Sequence, residues 1–178
     1  MDYPVIKAIE DRRSIRSFRT VPITDEQVSL LETAALAAPS AVNYQPWHLC
    51  FVRRVDLLDE ISRTAVEAMG RDPAYNIFYH APLVVFVAAD TSRKWGVLDS
   101  GIVVQNIALA AHDLGLGSVI VGMAEAAFDS PAGDALARKA GFPAGHRFAV
   151  SIAIGVPAAG KPPHENQPNR ITRIDCIG

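Results

Sequence analysis

The stretch "VLDSGIVVQNIALAAHDLG" constrains the fold of this chain more than any other. From about Val97 to Leu114 it is apolar on nearly every side, and Gly115 stands where a helix would stop. A helix without a wet face must be covered all round. In a chain of 178 residues, one natural cover is the same helix in a second copy. The segment therefore predicts the core of a homodimer.

Other elements follow from periodicity and caps. A first helix is expected from about Pro4 to Arg12, with Val5, Ile6 and Ile9 on one face. A second begins at "ITDEQVSLLETAALAA", where Thr24 and Gln27 have capping-box spacing and Pro39 ends the run. "WHLCFVRR" alternates as a strand does, and Asp56 to Met69 is helical up to Gly70. "LVVFVAA" at 83–89 is the continuous apolar run of a strand buried on both faces. "SVIV" reads as a strand, "SPAGDALARKAG" as a helix with Pro131 in its first turn, and "FAVSIAIG" as a last core strand. Strands alternating with helices predict, by default, a parallel doubly wound sheet. After Val156 the chain turns proline-rich and polar, the composition of a frayed tail.

Bulk properties narrow the function classes. The chain is 49% apolar and 20% charged, ordinary for a single globular enzyme domain over 1–178. A pI near 6.2 argues against nucleic acid or an anionic membrane as a general partner. Cys50 and Cys176 lack CxxC spacing and the five histidines are scattered, so no metal is expected. No apolar run approaches the roughly 18 residues of a membrane span, and the start lacks the apolar region of a leader. The expected setting is the cytoplasm.

Three stretches carry chemistry. "RRSIR", Arg12 to Arg16, packs three guanidiniums and a hydroxyl into five residues of a chain whose net charge is -2. Such a cluster either caps helix carbonyls or binds an anion, for which the Arg fork is suited. "LGLGSVIVG" offers Gly115-x-Gly117, but a helix precedes it, a strand follows, and Ile120 occupies the third glycine's place. No dinucleotide fingerprint results. Gly115 is expected as a helix stop and Gly122 as a point of close backbone approach. "APSAVNYQPW" at 38–47 holds Ser40, Asn43 and Gln45 between prolines. It can read a polar heterocycle, or form an Asx-type turn on its own backbone.

Together, "RRSIRSF", "APSAVNYQPW", "DSGIVVQNIALAAHDLGLGS" and "IVGM", in that order and spacing, resemble the nitroreductase family of flavin enzymes. The resemblance implies an α+β three-layer sandwich, a mixed, mostly antiparallel sheet flanked by helices, in an intertwined homodimer. Residues 156–178 would be an arm embracing the partner. FMN would lie at the subunit interface. Arg12, Arg13, Ser14 and Arg16 match the positions that hold its phosphate and ribityl chain. Pro39, Ser40, Ala41, Asn43 and Gln45 fall in the loop reaching it from the other subunit. Val121 and Gly122 match the strand end whose backbone N–H faces the reactive flavin nitrogen. Some members have an acidic residue where Val121 stands. Arg170 in "PNRITR" looks like the returning phosphate ligand, although the usual Lys-x-Arg pattern is missing.

The implied activity is a ping-pong reductase. NADH or NADPH would reduce FMN, and a nitroaromatic, quinone or similar small acceptor would then be reduced in the same place. Flavin carries that chemistry, consistent with the absence of a triad or carboxylate pair. Related scaffolds remove halogen, cleave flavin or oxidise heterocycles, and a flavin store or sensor would carry the same clamp. Tyr75, Phe78 and Tyr79 would either stack on a flat substrate or pack the rim.

Overall fold

Val84, Phe86 and Ala88 point to one side of a central strand, and Leu83, Val85 and Val87 to the other, all of them fully buried. That alternation defines three layers in the computed structural model, which describes residues 3–174. Four strands make the sheet: β1 (Trp47–Val52), β2 (Leu83–Asp90), β3 (Gly117–Val121) and β4 (His146–Gly155), in the order β1-β2-β4-β3. Helices α2 (Asp25–Leu36) and α4 (Gly96–Asp113) cover one face. Helices α3 (Val55–Ala68), α5 (Glu125–Phe128) and α6 (Gly133–Ala140) cover the other. Helix α1 (Pro4–Asp11) lies outside the core and buries no residue.

The parallel doubly wound sheet is overturned, because every strand pairing is antiparallel. The cause lies between β1 and β2. Val52 pairs with Val84, so the chain leaves the sheet and returns at the same end. Helix α3 makes one traverse and residues 69–82 make the second. A continuous apolar strand then arises because helices cover both faces, not because its neighbours are parallel. A lone parallel bridge joins Ser14 to Ser118. The sandwich implied by the resemblance is the fold observed.

Local signals were read well at α2 and α4. Thr24 and Gln27 form a reciprocal capping box. Helix α4 ends in a Schellman motif: Gly115, at φ +72, donates to His112, and Leu116 donates to Ala111. Pro131 is a correction. Helix α6 begins at Gly133, because a Cβ there would stand 1.8 Å from the Phe128 carbonyl oxygen. The corner between α5 and α6 thus interrupts the expected helix. Cys176 lies outside the described residues, and among those residues no helix is long and apolar enough to cross a membrane.

Helix α4 is only half covered by its own chain. Val103, Val104, Ile107, Ala108 and Ala111 are buried, while Val97 and Leu98 are 68% and 61% exposed. Val5, Ile6 and Ile9 of α1 are exposed too. The chain therefore presents apolar helix surface outward on two elements.

Candidate functional site

Arginines 12 to 16 divide their labour. Arg13 turns back on α1, donating from Nη1 to the Glu10 carbonyl and, at 2.8 Å, to the Arg12 carbonyl. For this residue the helix-capping reading holds. Arg12 and Arg16 do otherwise. Among the described residues neither has an ion-pair partner, and Arg16 lies 5.9 Å from the centre of the Tyr79 ring.

Backbone bonds fix the segment that carries them. Ile15 N–H donates to the Ser118 carbonyl at 2.9 Å, Arg19 N–H to Val156 at 2.8 Å, and Ala158 N–H returns to Ser17 at 2.9 Å. The segment can lie this close because Gly117 and Gly155 face each other across β3 and β4. A Cβ on Gly117 would be 3.0 Å from the Ile15 side chain, and one on Gly155 would be 2.8 Å from the Phe18 ring. Gly117 thus makes room for protein, not for a dinucleotide.

At the other end of β3, Val121 buries its side chain and accepts a 2.8 Å hydrogen bond from the Ser151 hydroxyl. Gly122 follows, exposed. A Cβ there would meet no atom within 4 Å, so the close approach expected at this glycine is not made by the chain itself.

The 38–47 loop is strained and self-bonded. Val42, Asn43 and Gln45 all adopt left-handed φ, at 54, 57 and 48°. For β-branched Val42 this is a true outlier, of the sort that surrounding structure must enforce. Ser40 Oγ accepts from Gln45 N–H at 2.9 Å, Asn43 N–H donates to the Ser40 carbonyl at 3.0 Å, and Gln45 Nε2 donates to Asn43 Oδ1 at 3.0 Å. Gln45 therefore braces the loop. The anchor is Asp99 of α4, 3% exposed, whose two carboxylate oxygens accept from Ala41 N–H at 3.3 Å. Sequence reasoning missed Asp99. Its signal was an acid set in an otherwise apolar helix.

Residues 9–156 match the Nitroreductase family. The chain belongs to that family. It is 37% identical over 124 residues to a protein of Methanothermobacter thermautotrophicus named for NADH dehydrogenase/NAD(P)H nitroreductase, covering 67% of this chain and 61% of the relative. To the NADPH-flavin oxidoreductase of Vibrio harveyi it is 37% identical over 126 residues, or 66% of this chain and 52% of that one. The chain thus spans little more than half the length of these curated relatives. Among solved structures, a nitroreductase with bound FMN from Desulfitobacterium hafniense superposes with a TM-score of 0.91 at 31% identity, covering 98% of this chain and all of that one.

In this nitroreductase-family chain the two candidate groups stand apart. The loop is anchored near the start of α4, and the Arg segment lies beside the Gly115–Ser118 stretch after its end. Eighteen residues of helix, about 27 Å, separate those ends. The cleft of about 320 Å³ that Pro39, Ser40 and Ala41 line with Asp99 contains no Arg. Arg12 and Arg13 line another, of about 580 Å³. Arg170 lines neither, and its Nε donates to Gln167 Oε1 at 3.0 Å.

The aromatic segment also divides. Phe78 is 1% exposed and packs edge-on against Phe86 at 5.7 Å, so it is core and not a stacking surface. Tyr75 and Tyr79 are half-buried with hydroxyls 3.1 Å apart. That hydrogen bond, aided by burial, raises the Tyr75 pKa. Tyr79 and His80 both hold φ at 56°, pinned by Asn76 Oδ1, which accepts from Phe78 and His80 N–H. Among the described residues no His/Cys/Asp/Glu group could hold a metal.

Proposed function

We propose that the chain is an FMN-dependent oxidoreductase that takes reducing equivalents from NADH or NADPH and passes them to a small acceptor such as a nitroaromatic or quinone. One observation carries the reading: Arg12 and Arg16 lack acidic partners on a segment clamped along β3, whose far end opens at Gly122. A phosphate carries roughly -1.5 to -2 charges and rewards such fixed donors. The flavin-binding solved relative at 31% identity supports the same reading.

When bound, FMN supplies hydride acceptance and donation. In this reading Arg12, Ser14 and Arg16 hold its phosphate and ribityl chain, while Arg13 keeps α1 closed behind them. The backbone N–H groups at Val121 and Gly122 face its ring. Pro39, Ser40, Ala41 and Asn43 reach it from the partner subunit, with Gln45 and Asp99 keeping that loop in shape. The separation of the two groups along α4 favours a site built from two chains. The exposed Val97 and Leu98, with Val5, Ile6 and Ile9, supply apolar surface for that homodimer. The C-terminal arm, 156–178, would embrace the partner and bring Arg170 to the phosphate. Residues 175–178 of that arm lie outside the described residues. One open face serves reductant and acceptor in turn, a ping-pong order. Free, buried Cys50 accords with a reducing, cytoplasmic setting.

The test is direct. The purified protein should carry, or take up, one FMN per chain and oxidise NADH or NADPH with a quinone or nitrofuran. Failure to bind added FMN in a fluorescence titration overturns the cofactor. Flavin binding without turnover would leave a store or sensor.

A further inference from the structure

Arg12 does not line its cleft alone. The same space of about 580 Å³ is lined by Arg19, by His112 at the end of α4, and by Lys161 of the segment that follows β4. Arg19 and Lys161 are held there by one short ladder, in which Phe18 bridges Pro157 and Ala158 N–H donates to Ser17. Asp11 is the only acid lining the cleft, and none of the three cations forms an ion pair among the described residues. The chain as a whole is acidic, so this is a local concentration of positive charge.

Cations near a helix C-terminus can serve the helix alone. Here the carbonyls at that end are already occupied: Ala110 accepts from Leu114, Ala111 from Leu116, and His112 from Gly115. Arg13 spends its donors on α1. The donors of Arg12, Arg19 and Lys161 therefore remain for something that enters the cleft.

We infer that Arg19 and Lys161, with Arg12, form a phosphate-ester site, in which Lys161 supplies from its own chain a cation that Arg170 does not bring. The ester is either the phosphate of the flavin or the phosphates of the nucleotide reductant. The inference deepens the proposed function but does not need flavin to be tested.

Inorganic pyrophosphate is the probe, titrated calorimetrically into the full-length protein freed of flavin. Lys161→Ala and Arg19→Ala should each weaken its binding about tenfold, the scale of one charge-assisted hydrogen bond. Both residues are exposed, so melting temperatures should hardly move. Two further measurements separate the sources. A matching loss of FMN affinity assigns the site to the flavin phosphate. Unchanged FMN affinity and kcat, with a raised KM for NADH or NADPH, assigns it to the reductant. Pyrophosphate binding that depends on Lys161 in a protein that takes up no FMN keeps the site and removes the flavin reading. Unchanged pyrophosphate affinity in both variants overturns the inference, whatever activity does.

Discussion

Ile15 rests on Gly117. No side chain larger than hydrogen fits between them without movement, since a Cβ would lie 3.0 Å from the Ile15 side chain. The contact seats the Arg segment on β3 and sets where its guanidiniums stand.

Gly117→Ala should therefore act on the site and the fold together. Overpacking of this kind costs about 1–3 kcal/mol. Melting temperature should fall, and FMN affinity should fall in the same variant. Gly122→Ala, where a Cβ meets nothing, should leave the fold intact and affect flavin alone.

Arg13→Ala should separate from its neighbours. Its donors go to α1 carbonyls at a partly exposed site, so stability should drop by about 0.5–1 kcal/mol. FMN affinity should change little. A large loss of flavin with unchanged melting would show that Arg13, too, is a ligand.

Leu98→Glu tests the two-chain site. Leu98 is 61% exposed in the single chain yet apolar, on a helix whose other face is core. A carboxylate there should drive sedimentation towards monomer and lower flavin occupancy in parallel. A flavin-loaded monomer would contradict the shared site.

Burial pushes the Cys50 thiol up to about 11 from an ordinary 9.0. Between those values the folded state holds a proton that the unfolded chain releases, so stability falls as pH rises through this window. Cys50→Ala should flatten that part of the pH profile relative to wild type. Below pH 9 the native thiol should react slowly with disulfide reagents, because the thiolate is the nucleophile. Rapid modification of Cys50 at pH 8 would refute the assignment.

Much of this architecture was legible in the sequence. Thr24 and Gln27 announced α2, Gly115 the end of α4, and Leu83 to Ala89 a strand covered on both sides. Strand direction was not legible, because residues 69–82 carry the chain back across the sheet without a periodic signal. Phe78 and Tyr79 are adjacent, yet one is core and the other faces Arg16. Only the left-handed turn at Tyr79 separates them. The Arg cluster declared its charge but not its division, since Arg13 turns back only once α1 exists to receive it. Asp99 went unread because an anchor for a loop 58 residues away leaves no local pattern.

The central claim is that Arg12 holds an FMN phosphate, and FMN dissociation constants for Arg12→Ala and Arg12→Lys test it most directly. Arg12→Ala should weaken FMN by about 1.5–3 kcal/mol, the scale of one charged hydrogen bond. Arg12→Lys should recover only part, because a point charge cannot replace the fork. With saturating FMN, melting temperature should be close to wild type in both. An unchanged dissociation constant in Arg12→Ala would contradict the account.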